Sequence, residues 1–284
     1  MPLGVRLMVP LGLLLGVIVA YPLGYSLWLS LTDRRIVGSK DATFVGLDQY
    51  AGLLDNAAYG VAMRNTIVFV VVAVTLELVL GLALAMALQR QRRARDLTRA
   101  FLLTPMFVTP IAVGLMFRFL LNEQLGAIPA ILDNVGLDID FFGPTLALPT
   151  IIAIDVWQWT PFMVLLLLAG LESLPRQPFE AARVDGASAW MTFRRVTLPL
   201  LKPAIGIAVL LRALDAFKVF EYVFATTRGG PGDATETIQY QIYRTGFQFF
   251  RIGEAAAMAF VLIAVVLVLA TILYRRFLRP EASA

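Results

Sequence analysis

Apolar residues fill long blocks of this chain, and short polar segments separate them. Each block holds about the 20 residues that a helix needs to cross the hydrocarbon core of a bilayer. The pattern predicts six transmembrane helices, at roughly 7–29, 66–88, 100–121, 146–171, 204–226 and 255–274. The first block is longer than the apolar part of a signal peptide and no small-residue cleavage site follows it, so we expect it to stay in the protein. The predicted fold class is an all-α membrane protein, with 1–284 as one transmembrane domain.

Composition supports this prediction and excludes several kinds of site. The chain is 59% hydrophobic and 15% charged, whereas soluble domains are about 25% charged. It contains no cysteine and no histidine, which excludes disulfides, thiol nucleophiles, Cys-bound metals and the commonest general base. The net charge of +4 fits arginines gathered in loops on one side of a membrane better than a nucleic-acid surface. We therefore expect a lipid membrane as partner, no metal and no nucleic acid.

Basic residues concentrate in alternate loops, which predicts the orientation of the chain. Short loops rich in Lys and Arg stay on the cytoplasmic side. Both termini and the segment 172–203 are therefore expected in the cytoplasm. The residues behind this prediction are Arg90, Arg92, Arg93, Arg95 and Arg99 after the second span, Arg176, Arg183, Arg194, Arg195 and Lys202 after the fourth, and Arg275, Arg276 and Arg279 after the sixth, while acidic residues such as Asp41 and Asp138 lie in the other loops.

The segment 172–203 is charged and punctuated by Gly and Pro, unlike the apolar blocks around it. Pro178 suits the first turn of a helix, so the sequence predicts a short helix over 179–185 that stops at Gly186. Ser188 is expected to cap a second helix, which Pro199 and Pro203 end before the fifth span. The residues alone leave two interpretations open: an amphipathic loop resting on lipid headgroups, or a docking segment for another protein.

Three short motifs in this segment resemble the cytoplasmic EAA loop of ABC-importer permeases. The pattern is EAA, then DGA, then an aliphatic residue followed by x-Leu-Pro, and every element is present at the family's spacing. In that family the loop docks in a cleft of a separate ATP-hydrolysing subunit. The resemblance implies an ATPase-coupling role for Glu180, Ala181, Ala182, Asp185, Gly186, Ala187, Leu198 and Pro199.

The resemblance covers nearly the whole chain. YPLGYSLWLSLTD, FVGLDQY, DVWQWTPFMVLLLLAGLESLP, LDAFKVFEYVFATTRGGPG and TIQYQIYRTGFQFF are similar to carbohydrate-uptake permeases of the maltose/glycerol-phosphate type. The opening motif resembles the first, six-span member of the permease pair in such systems. Maltose-specific members carry extra N-terminal spans and a large periplasmic insertion that this sequence lacks, so maltose itself is not implied.

This family resemblance implies a non-catalytic transport subunit that forms half of a translocation path. Its expected partners are a second, non-identical permease subunit, two ATP-binding cassette subunits that carry the ATP and Mg, and an extracytoplasmic solute-binding protein. The expected location is the bacterial inner membrane. The chain itself is expected to bind no cofactor, and its glycine-rich stretch 229–232 is not a phosphate-binding loop because no Lys-Ser/Thr follows it.

Polar residues inside the predicted spans are candidates for the substrate path, because charged groups at membrane depth are costly and usually functional. Aromatic rings stack on sugar C–H faces, and carboxylates and amides bind sugar hydroxyls. For the fourth span, the alternative to a role in the substrate path is interhelical hydrogen bonding. For the fifth span, the alternative is a row of charges that neutralise one another at i, i+3 spacing, formed by Arg212, Asp215, Lys218 and Glu221. The candidates are Asp155, Gln158, Trp159, Asp215 and Lys218.

Two further charged residues, Glu77 and Arg118, lie inside the predicted second and third spans. Glu77 is expected to form an interhelical bond, and Arg118 to extend toward the membrane surface.

Two other classes of function are not favoured by the sequence. A secondary transporter would show interrupted helices repeated in two halves, and no such repeat is visible. A membrane enzyme without His or Cys would need a Ser/Lys site or a paired-carboxylate site such as Asp155 and Asp215, and no nucleophile motif supports it. The identity of the solute stays open among oligosaccharides, monosaccharides, polyols and glycerol-phosphate-like compounds.

Overall fold

The computed structural model describes residues 3–38, 42–91 and 94–278. This part of the chain is helical, with two isolated β-bridges and no strand. Four residues used above for the orientation, Asp41, Arg92, Arg93 and Arg279, lie outside the described residues.

The described residues contain thirteen α-helices. In chain order they are α1 (Leu3–Ser30), α2 (Asp48–Asp55), α3 (Ala57–Arg90), α4 (Arg95–Leu103), α5 (Pro110–Leu120), α6 (Ala127–Asp133), α7 (Ala147–Glu172), α8 (Gln177–Val184), α9 (Ala189–Thr192), α10 (Leu198–Ala216), α11 (Glu221–Ala225), α12 (Ile238–Tyr243) and α13 (Ile252–Leu273). A 3₁₀ turn covers Thr104–Phe107, and π-helical turns cover Phe193–Thr197, Arg244–Gln248 and Tyr274–Leu278.

Five helical stretches of the described residues are long and apolar enough to cross a membrane. A bent pair of helices supplies a sixth if it counts as one span. The five coincide with the predicted first, second, fourth, fifth and sixth spans, which confirms the all-α membrane fold. They are Gly12–Ser30, Ala57–Arg90, Ala147–Glu172, Ala189–Ala225 and Ile252–Phe277.

The third predicted span, 100–121, is not one straight helix. Asp96–Phe107 and Pro110–Leu120 meet at an angle of 92°. Val108 and Thr109 between them are extended, with ψ of 139° and 136°. The cause is local, because a residue that precedes proline avoids the helical conformation, and here Thr109 precedes Pro110.

The fifth span also differs from its prediction. Pro199 and Pro203 were expected to end the second helix of the segment 172–203, but helical structure runs on through both of them. Pro199 lies in the first turn of α10, directly after the π-helical turn, and such turns commonly absorb local irregularities within a longer helix. The helix then ends at Ala216, and the separate short helix α11 replaces the last part of the predicted 204–226 span.

The chain divides into two compact units, 1–61 with 238–265 and 62–237 with 266–284. In the first unit, the backbone N–H of Ile36 donates to the carbonyl of Phe250 at 3.0 Å, and that of Gly253 to Arg34 at 3.1 Å. The 31–38 connection is thereby held to the start of α13.

Small residues allow the helices of the second unit to approach closely. A Cβ atom added to Gly81 would lie 2.7 Å from the Cβ of Met163, and one added to Gly170 would lie 2.6 Å from the Cβ of Ala204. Glycine at such positions lets helix backbones come together where no hydrophobic force drives association. Helix α7 is therefore held tightly between α3 and α10.

Candidate solute site and coupling segment

A cluster of charges lies inside the second unit, centred on Arg212 of α10. Its Nε atom lies 2.8 Å from Oε2 of Glu77 on α3, and its Nη2 atom contacts Oδ2 of Asp155 on α7. Arg212, Glu77 and Asp155 are 1%, 0% and 2% exposed. Its Nη1 atom lies 3.2 Å from Oδ2 of Asp215, whose side chain is 52% exposed. One cation thus joins three helices and also reaches a carboxylate at the edge of the buried region.

Trp159 of α7 connects this cluster to a set of hydrogen bonds. The guanidinium carbon of Arg212 lies 5.3 Å from the centre of the Trp159 ring, within the range of a cation–π contact. The Trp159 Nε1–H donates to the hydroxyl of Tyr222 at 3.1 Å. The Tyr222 hydroxyl donates to Oε1 of Gln158 at 2.6 Å, and Nε2 of Gln158 donates to the carbonyl of Val108 at 2.6 Å.

A cavity of about 390 Å³ adjoins these side chains. Four of the predicted substrate-path residues meet around it or its cluster: Trp159, Asp215 and Lys218 line the cavity, and Asp155 lies behind Arg212. Gln158 is fully buried and does not line it. The remaining walls come from Phe162, Leu211, Arg212 and Leu214. An aromatic surface, one carboxylate and two cationic side chains therefore share one concave site.

Three other expectations concern charged residues inside the predicted spans. The interhelical bond of Glu77 is confirmed by its ion pair with Arg212. The expected pairing of Arg212 with Asp215 is present, but the i, i+3 row does not continue as one helical face, because the helix ends at Ala216. The expectation for Arg118 stays a prediction: Arg118 is exposed, and its Nη1 donates to the carbonyl of Ala225 at 3.2 Å, at the end of α11.

The segment 172–203 forms the predicted turn between two helices. Gly186 has a φ of +69°, and the N–H groups of Gly186 and Ala187 donate to the carbonyls of Arg183 and Ala182 at 3.1 and 2.9 Å. This is the Schellman pattern that ends helices at a left-handed glycine. Ser188 caps α9, since its side chain accepts from the N–H of Met191 at 3.3 Å. Both sequence predictions are confirmed.

The motif residues of this segment divide between two sides of α8. Glu180 and Ala187 line a cavity of about 840 Å³ together with Arg90, Arg176 and Phe193. Ala182 is buried, whereas Ala181, Val184 and Asp185 are exposed, Val184 to 88%. The side of α8 that faces away from this cavity and is free to meet another protein therefore carries small and apolar side chains, with the acidic Asp185 at its end.

Sequence reasoning missed the central place of Arg212 and the role of Tyr222. Arg212 stands in the middle of an apolar block, which is an unusual position for arginine, and that signal was available. Tyr222 offered no comparable signal, because its partners come from α7 and its position depends on the break after Ala216.

Comparisons with known proteins agree with this architecture. Residues 77–281 match the family model described as binding-protein-dependent transport system inner membrane component. The chain is 37% identical to the probable ABC transporter permease y4oQ of Sinorhizobium fredii, over 95% of this chain and 88% of that one. It is 31% identical to the sulfoquinovosyl glycerol permease SmoG of Agrobacterium fabrum, over 98% and 91%, and 34% identical to the trehalose permease SugA of Mycobacterium tuberculosis, over 97% and 88%.

A solved structure has the same fold. It is a bacterial ABC transporter for the import of the polysaccharide alginate, with a TM-score of 0.83, 22% identity and coverage of 98% of this chain and 96% of that chain. At that identity the likeness concerns the fold alone. The family match and the close relatives confirm the predicted class of protein. The chain belongs to the family of inner membrane components of binding-protein-dependent transport systems, and it is a permease subunit of an ABC importer.

Proposed function

We propose that this chain forms half of the carbohydrate translocation path of an ABC importer and takes its energy from a separate ATPase through α8. The other half is a second, non-identical permease subunit. Two ATP-binding cassette subunits hold the ATP and Mg, and an extracytoplasmic solute-binding protein delivers the solute. The chain is non-catalytic, binds no cofactor itself and lies in the bacterial inner membrane with both termini in the cytoplasm.

A carbohydrate as solute is supported by the relatives and by the cavity. The names of two relatives include sulfoquinovosyl glycerol and trehalose as the transported compounds. The cavity offers the Trp159 and Phe162 rings, whose centres lie 6.2 Å apart at 88°, beside the charged groups of Asp215 and Lys218. Ring faces suit sugar C–H groups, and the two charges suit hydroxyl groups.

The observation that carries the proposal is the continuous helical stretch Ala189–Ala216. It joins the segment 172–203 directly to the helix that bears Arg212 and Asp215. At 1.5 Å per residue, Ala189 and Arg212 are roughly 35 Å apart along it. A displacement of the cytoplasmic segment by an ATPase subunit therefore reaches the cavity wall without an intervening flexible joint.

A substitution at Gly186 tests the coupling. A Cβ atom added there would meet no atom within 4 Å, but leucine must adopt a φ of +69°, which costs an ordinary residue about 1–2 kcal/mol. We expect Gly186→Leu to distort the α8–α9 turn and abolish carbohydrate import, with native amounts of the chain in the membrane. Gly136→Leu is the matched control, because Gly136 has a φ of +76° and equally open space but lies outside the segment.

The measurement uses the complex purified from membranes and reconstituted with its ATPase. ATP hydrolysis and uptake of a panel of labelled carbohydrates, trehalose included, are compared for the native chain and both variants. Native import by Gly186→Leu would refute the coupling role. A purified complex with two copies of this chain as its whole membrane part would refute the non-identical partner.

A further inference from the structure

Three hydrogen bonds run in sequence from the cavity wall to the bend in the third span. They join Trp159 Nε1 to the Tyr222 hydroxyl at 3.1 Å, that hydroxyl to Gln158 Oε1 at 2.6 Å, and Gln158 Nε2 to the Val108 carbonyl at 2.6 Å. Gln158 is 0% exposed and Tyr222 is 3% exposed. The middle of this series is therefore closed to bulk water.

The direction of donation is fixed at both ends. The Val108 carbonyl only accepts, so the Gln158 amide nitrogen must face it and the amide oxygen must face Tyr222. The Tyr222 hydroxyl has one proton, which it gives to that oxygen, and it accepts from the Trp159 N–H, which only donates. No member can reverse its role without leaving a buried group unpaired, which is costly.

Tyr222 is held by the same part of the chain that Gln158 reaches. Its helix, α11, packs against α5: a Cβ added to Gly114 of α5 would lie 2.8 Å from the Cβ of Ala225. Arg118 of α5 also donates to the Ala225 carbonyl at 3.2 Å. Helix α5 begins directly after the extended residues Val108 and Thr109. The hydrogen-bond series is thus attached to the region of the bend twice, at its end through the Val108 carbonyl and in its middle through Tyr222.

We propose that Tyr222 is a positioning residue: it fixes the indole ring of Trp159 at the cavity wall and links its orientation to the bend at 104–109. Arg212 holds the ring from one face, and Tyr222 holds it at the ring nitrogen. A movement of α5 then turns the ring. The idea that this ring serves as a stacking surface for a carbohydrate rests on the proposed function.

Time-resolved fluorescence anisotropy of the assembled complex tests the proposal. Replacing Trp28, Trp157 and Trp190 with Phe leaves Trp159 as the single tryptophan of this chain, and each remaining tryptophan of the partner subunits is likewise replaced by Phe. Freed side chains move within picoseconds to nanoseconds. We expect Tyr222→Phe to at least double the amplitude of the sub-nanosecond anisotropy decay of Trp159. Gln158→Leu should act in the same way, and the double variant should be no worse than the larger single effect.

Thr226→Val is the matched control. It removes a buried hydroxyl at the end of the same short helix, one that donates to the Tyr222 carbonyl at 2.6 Å, but it leaves the bond to Trp159 in place. A merely structural role for Tyr222 predicts equal decays for Tyr222→Phe and Thr226→Val, and that result would overturn the proposal. A native decay in Gln158→Leu would overturn the link to the bend. No solute is involved, so these outcomes are separate from any failure of the proposed function.

Discussion

The ion cluster around Arg212 makes a quantitative prediction for Arg212→Met. The variant leaves Glu77 and Asp155, at 0% and 2% exposure, without their cation. Breaking a buried pair by removing one partner costs about 3–5 kcal/mol, because an uncompensated charge stays buried. Two buried carboxylates place the cost at the upper end of that range. With about 2–4 °C per kcal/mol for a large domain, a cost of about 4–5 kcal/mol should lower the melting temperature by roughly 8–20 °C.

Size-exclusion chromatography of the detergent-solubilised complex after heating to a series of temperatures gives the melting temperature and so measures this change. Asp215→Asn is the control, since this carboxylate is 52% exposed and exposed pairs contribute about 1 kcal/mol or less. Replacing the whole buried set with Glu77→Met, Asp155→Leu and Arg212→Met should restore most of the lost stability. If Arg212→Met melts like Asp215→Asn, the cluster does not stabilise the fold as argued.

Two further changes test other parts of the second unit. Trp159→Ala removes the aromatic wall of the cavity. If stacking contributes about 1–3 kcal/mol, the half-saturating carbohydrate concentration for uptake should rise roughly 5- to 150-fold; an unchanged value would remove Trp159 from the path. Asn65→Ala removes the amide that donates to the carbonyls of Asp233 and Glu236 at 2.9 and 3.0 Å. Backbone hydrogen exchange at 233–237, followed by mass spectrometry, should therefore accelerate about 2- to 10-fold, and native exchange rates would contradict this.

The apolar blocks were sufficient to predict where five spans lie, because membrane depth requires long runs of apolar residues. They were insufficient where proline acts. The same residue type bends the chain by 92° near Pro110 and leaves helical structure continuous at Pro203. The difference depends on neighbouring backbone that a one-dimensional pattern does not contain, such as the π-helical turn before Pro199.

The candidate site was predicted in part. Membrane depth and helical spacing brought Asp155, Trp159 and Asp215 into one region, and the structure places them together. Gln158 has the same depth but a different angular position on α7, so it points to Tyr222 and Val108 instead of the cavity. The pairing of Arg212 with Glu77 requires α3 beside α10, an arrangement of helices that sequence spacing alone does not specify.

The π-helical turn at Phe193–Thr197 also sets an angular register. An α-helix turns about 100° per residue, and a π-helical turn amounts to one residue added within it. The angle between the aromatic pair Trp190 and Phe193 near the start of this helical stretch and Arg212 further along is therefore fixed by the number of residues between them. Loss of one residue from 193–197 would keep the hydrophobic composition of the span and yet rotate Arg212 away from both Glu77 and Asp155, so this stretch should tolerate substitution far better than a change of length.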